Sequence, residues 1–134
     1  MERIPIKRIE DFEVYQKAVK HLDNLSFLTD EEKIAVMEFA NLLKKRFGSL
    51  VKEIILFGSK LRANSDKESD IDILIVLTHL SWEIKKSISE LAAEENLKHN
   101  VLISTIRYDV ATWENPIVKA SPFSKSVRKE GLWL

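Results

Sequence analysis

Leu56-Phe57-Gly58-Ser59-Lys60-Leu61-Arg62, and then, after a polar loop, Ser69-Asp70-Ile71-Asp72-Ile73-Leu74-Ile75-Val76-Leu77, is the stretch that decides the fold. It reads as an apolar strand, a Gly-Ser turn opening a short helix, and a second apolar strand entered through two carboxylates. Side chains alternate along a strand, so Asp70 and Asp72 share one side while Ile71, Ile73 and Ile75 take the other. Two anions held side by side against a Val/Ile/Leu run repel, and burying them costs several kcal/mol unless a cation compensates. Mg²⁺ suits that place, because it favours carboxylate oxygens and commonly takes one or two of them together with substrate phosphates. On the first half of the stretch, Gly58 allows close approach of a ligand to the backbone and Ser59 offers a hydroxyl. Lys60 and Arg62 add positive charge within the next turn. A helix start of this kind favours phosphate oxygens through its free N–H groups and its dipole.

Working outward, the first strand spans Val51 to Phe57, the second Ile71 to Leu77, and Asn64 to Ser69 has loop composition. Upstream, Thr29-Asp30-Glu31-Glu32 has capping-box spacing, followed by an apolar stripe of Val36, Phe39, Ala40, Leu43 and Phe47. Lys44-Lys45-Arg46 and Gly48 then mark a helix C-terminus. Further upstream, Phe12, Tyr15, Val19 and Leu22 recur at helical spacing and predict an amphipathic helix from Glu10 to about Asn24. Downstream, a helix is expected from near Ser81 with Ile84, Ile88, Leu91 and Ala92 buried, then a third strand from Val101 to Ile106. A helical turn near Thr112 follows. The last helix has Ser121 as N-cap, Pro122 at its first position and Gly131 as its stop.

The 134 residues are long enough for one domain with its own core. Twenty-one basic residues balance twenty-one acidic ones, which argues against a chain built mainly to grip a nucleic-acid backbone. There is no cysteine, so disulfides and thiolate metal sites are excluded. No apolar run approaches the length of a membrane span and Met1 to Pro5 lacks a signal-peptide core, so a cytoplasmic protein with no membrane partner is expected. His21, His79 and His99 have no metal-site spacing with one another, and each is expected at the surface or in a loop. Trp82, Trp113 and Trp133 are candidates for stacking on a base.

Strand, Gly58-Ser59, Arg62, then Asp70-Ile71-Asp72 and an aliphatic strand resembles the signature of the DNA polymerase β-type nucleotidyltransferases, in particular the small prokaryotic minimal nucleotidyltransferases. The capped helix from Thr29 and the closing Ser126-Val127-Arg128-Lys129-Glu130-Gly131 are similar to such domains as well. The resemblance covers most of residues 29–134, leaving 1–28 as an N-terminal extension with one helix. It implies an α/β (α+β) single domain, a small mixed sheet flanked by helices. It also implies transfer of a nucleotide from a nucleoside triphosphate such as ATP with two Mg²⁺ ions on Asp70 and Asp72, and Gly58 and Ser59 at the triphosphate, where the cations Lys60 and Arg62 of the same turn are expected to join them. Many relatives of this kind are antitoxins paired with a HEPN-type toxin, so a partner protein is an expected acceptor. A binding module of that type and a degenerate nucleotide-binding domain are the alternatives.

Two departures bear on the chemistry. The usual form of the turn has Arg and a second Gly where this chain has Lys60 and Ala63. Active members usually carry a third carboxylate on a later strand, and Val101-Leu102-Ile103-Ser104-Thr105-Ile106 has none. Asp109 and Glu114 lie beyond it.

Overall fold

The computed structural model describes residues 27–62 and 69–134. The expected helix from Glu10 to Asn24, the residues around Ala63 and the loop from Asn64 to Glu68 lie outside them.

Helix α1 (Asp30–Phe47) begins as the capping-box spacing requires. The Glu32 backbone N–H donates to Thr29 Oγ1 (3.2 Å), and the Thr29 N–H donates back to Glu32 Oε1 (2.8 Å). A single 3₁₀ turn (Gly48–Leu50) leads into β1 (Val51–Phe57). After another short 3₁₀ turn (Ser59–Leu61) the chain returns as β2 (Ile71–Leu77). Helix α2 (Trp82–His99) is capped by the Ser81 hydroxyl, which accepts the Ile84 N–H, and ends at Asn100 in the left-handed conformation. Strand β3 (Ile103–Asp109), short helices α3 (Val110–Trp113) and α4 (Pro116–Lys119), helix α5 (Pro122–Glu130) and the two-residue β4 (Leu132–Trp133) complete the chain.

The sheet order is β3-β2-β1-β4. β2 lies antiparallel to β1 and parallel to β3, the α2 crossover supplying the length that a parallel connection needs. β4 runs antiparallel along the other edge of β1. The sheet is therefore mixed and flanked by helices, as the resemblance implies.

Helices lie on both faces of the sheet, which explains why β2 reads as an uninterrupted apolar run rather than an alternating one. On one face, Ile54, Leu56, Ile71, Ile73, Ile75 and Leu77 pack with Val36, Phe39 and Leu43 of α1 and Ile88 and Leu91 of α2. On the other, Ile55, Leu74 and Val76 pack with Trp113 and Val127, bordered by Phe57, Tyr108 and Phe123. Trp113 is 1 % exposed. Arg128 lies over its ring, with the guanidinium carbon 4.5 Å from the ring centroid, and donates to its carbonyl oxygen (3.1 Å), tying α5 to α3.

The third strand differs from its sequence boundaries. Asn100 in the left-handed conformation turns the chain out of α2, and the Val101 N–H still bonds back to Asn96 O. The strand begins at Ile103, where the Asn96 side chain accepts the Ile103 N–H (2.7 Å). Parallel pairing with β2 then carries it to Asp109, opposite Leu77. Among the described residues no helix is long and apolar enough to cross a membrane.

Candidate active site

Antiparallel pairing of β1 and β2 sets Phe57 opposite Asp72, so the turn leaving β1 stands beside the carboxylates entering β2. Asp72 is half-buried and Asp70 exposed. Burial, and next the charge of Asp70, push the Asp72 carboxyl above its ordinary range. The two carboxylates, Asp70 just before β2 and Asp72 within it, form a hard, all-oxygen donor set. Such a donor set fits Mg²⁺, which favours carboxylate oxygens.

Gly58 is needed here for two reasons. Its φ of +85° is in the region that favours glycine, and a methyl group built on its Cα would lie 2.3 Å from Oδ2 of Asp72. The backbone of the turn and the Asp72 carboxylate are thus brought into direct apposition, which a side chain at position 58 would prevent. The helix expected after Ser59 is a single 3₁₀ turn, with Leu61 N–H on Gly58 O (3.1 Å) and Arg62 N–H on Ser59 O (2.9 Å). Its C-terminal neighbour Arg62 is extended and exposed, 3.9 Å from Glu130 at the end of α5.

Lys60 is placed differently from the other residues of the turn. It is 1 % exposed, and its ammonium lies 3.0 Å from Oε2 of Glu32. Glu32 belongs to α1, which packs on the face of Ile71 and Ile73, opposite in strand parity to Asp72. Glu32 therefore does two jobs, closing the capping box with Oε1 and receiving Lys60 with Oε2. The turn is fastened to the first residues of α1, and the Phe27 N–H adds a bond to the Lys60 carbonyl (2.7 Å). A lysine within a turn of Gly-Ser is a phosphate-ligand candidate in sequence, and the structure sets its ammonium beside Glu32, whose capping position puts a second oxygen at the helix start.

On β3 the residue paired with Asp72 is Ser104, and Leu74 is paired with Ile106. Asp109 sits at the opposite end, beside Leu77, where its side chain accepts the Thr112 N–H (2.7 Å) and caps α3. That bond holds its carboxyl below the usual range. Glu114 is engaged by Lys119 (3.2 Å) and Arg128 (3.5 Å). Neither Asp109, at the far end of β3, nor Glu114 stands beside the Asp pair. Of the tryptophans, Trp113 is interior. Trp82 is 72 % exposed at the start of α2, and Trp133 donates its indole N–H to Glu53 (3.0 Å) from the β4 edge. An open depression of about 550 Å³ lined by Lys52, Val76, Thr78, Val110 and Glu114 lies toward the Leu77 end of β2, away from Asp72.

The turn, the Asp-x-Asp strand and the mixed sheet define the nucleotidyltransferase class. The Nucleotidyltransferase domain family matches residues 36–134, and the chain belongs to that family. Two proteins of Methanocaldococcus jannaschii, each carrying the name "Putative protein adenylyltransferase", are similar to it. One is 35 % identical over a segment covering 54 % of this chain and 79 % of that protein. The other is 42 % identical, covering 58 % of this chain and 72 % of that protein.

Proposed function

We propose that this chain transfers a nucleoside monophosphate from a nucleoside triphosphate, ATP in the first instance, to a hydroxyl group on another protein. Membership of the nucleotidyltransferase family supports the reaction class, and the names of the two relatives support adenylate as the group and protein as the acceptor. Those names do not extend to the HEPN-type toxin expected as a partner. The observation that carries the assignment to particular residues is the apposition of the Gly58 turn and Asp72.

In the proposed reaction an acceptor oxygen attacks the α-phosphorus. The bond from that phosphorus to the bridging oxygen is broken, pyrophosphate leaves, and the hydroxyl proton passes to solvent. Asp70 and Asp72 would hold Mg²⁺, which when bound draws negative charge from the phosphates and lowers the barrier to displacement. Gly58 lets the triphosphate approach the backbone of the turn, and Ser59 offers it a hydroxyl. Arg62 and Glu130 are both exposed, so phosphate can draw Arg62 from its partner at small cost, since exposed pairs are worth about 0–1 kcal/mol. Lys60 acts as a positioning residue, holding the turn against α1.

The test is incubation with ATP labelled at the α-phosphorus and a set of candidate acceptor proteins, with Mg²⁺ or with EDTA. Label should become acid-stable on an acceptor with Mg²⁺ only. Equal labelling with EDTA would defeat the metal-dependent mechanism, and labelling of none would defeat transfer to protein.

A further inference from the structure

On the face of the sheet away from Asp72, three side chains meet between α1 and α2 with no counterpart in the chemistry above. They are Glu38 of α1 and Glu95 and His99 of α2, the latter two one helical turn apart. Their side chains are 5 %, 3 % and 7 % exposed. Glu38 Oε2, Glu95 Oε2 and His99 Nε2 are all buried and find no hydrogen-bond partner among the described residues. Unsatisfied buried polar atoms are costly and call for an explanation, and an ion is one.

The spacing matches one class of ion. His99 Nε2 lies 3.2 Å from Glu95 Oε2 and 3.6 Å from Glu38 Oε2, and the three ligand atoms lie within 4.8 Å of one another. Bonds of about 2.0–2.1 Å in a tetrahedral zinc site place ligands about 3.3–3.5 Å apart. The surroundings fit as well. Lys98 donates to the other oxygen of Glu38 (2.5 Å), and Glu31 Oε2 is 3.8 Å from the other nitrogen of His99. Outer partners of this kind are what orient metal-bound carboxylates and imidazoles.

We propose that Glu38, Glu95 and His99 form a site for a tetrahedral divalent cation of the zinc type, clasping α1 to α2 and separate from the Asp70/Asp72 site. One nitrogen and two carboxylate oxygens supply three ligands and leave the fourth position for water. The neighbouring charges come from both helices: Glu31 and Glu38 on α1, and Glu94, Glu95 and Lys98 on α2. Among the described residues carboxylates outnumber ammonium groups there, so a dication relieves the excess. Burial first, and Glu38 beside it second, push the Glu95 carboxyl up to about 7. The occupant that competes with a cation is therefore a proton on Glu95.

The test uses untagged full-length protein and Co²⁺ alone, whose visible absorption is intense in tetrahedral sites. One equivalent should give that absorption, Zn²⁺ should displace it, and the His99 ring resonances should show large paramagnetic shifts. The signal should survive in Asp70→Asn/Asp72→Asn and vanish in His99→Gln and Glu95→Gln. Absence of the band from wild type would overturn the proposal. Persistence in His99→Gln, or loss with the Asp70/Asp72 substitutions, would also overturn it. The shifts of His99 in the wild-type protein decide the matter even if a variant does not fold.

Discussion

Asp72→Asn is expected to lower nucleotide transfer by roughly 10³-fold without lowering the melting temperature of the metal-free protein. The rate effect follows from the several kcal/mol of charge stabilisation that a catalytic metal supplies, at about 1.36 kcal/mol per tenfold. Asparagine keeps the shape of the side chain but gives up its charge, so the cation loses half of the acidic pair. The stability effect has the opposite sign from that of an ordinary buried carboxylate. Burial and Asp70 already disfavour the charged form of Asp72, and a neutral side chain removes that penalty. Transfer assays and thermal melts on the same preparations check both halves. A variant that lost activity and melted well below wild type would show Asp72 to be a structural residue.

The second large effect concerns Lys60 and Glu32. Removing one partner of a buried ion pair leaves the other uncompensated and costs about 3–5 kcal/mol. For a domain of this size, Lys60→Met should lower the melting temperature by roughly 10–20 °C. Glu32→Gln keeps oxygen and nitrogen at the capping position, so its loss isolates the charge from the cap. The double variant Lys60→Met/Glu32→Gln should regain most of the stability, because replacing both charges by uncharged groups of similar volume is often neutral. It should also regain most of the transfer activity, since the Lys60 ammonium lies 3.0 Å from Glu32 on the α1 side. Recovered stability with activity still lost would return Lys60 to the triphosphate, where its place beside Gly58 and Ser59 first put it.

Local chemistry carried much of the fold in the sequence. Thr29 and Glu32 mark the start of α1 because a capping box needs those two residue types at that spacing. Ser121, Pro122 and Gly131 bracket α5 for the same kind of reason. β2 was legible to its ends because helices cover both faces of the sheet and leave the strand wholly apolar between its acids and Leu77.

What escaped was set by tertiary partners. β3 runs to Asp109 because it follows β2 residue by residue, a constraint invisible in Arg107-Tyr108-Asp109 alone. The Lys60 side chain turns to α1 because Glu32 offers a free oxygen there, twenty-eight residues away. His99 has no histidine at metal-site spacing and so reads as a surface residue, whereas its side chain is 7 % exposed among carboxylates. Glu95 and His99, four apart in a helical segment, were the signal that could have found that cluster. The Asp70/Asp72 pair is legible without long-range information, since residues two apart at a strand entry are expected on one side, and the charge of Asp70 does act on Asp72.

The most direct measurement of the central claim compares ATP labelled at the α-phosphorus with ATP labelled at the γ-phosphorus in the same Mg²⁺-containing transfer reaction. The proposed attack on the α-phosphorus predicts that an acceptor protein gains label from the first and none from the second, with labelled pyrophosphate released from the second. Label arriving from the γ position would contradict it, because the protein would then be moving a phosphoryl group rather than a nucleotide.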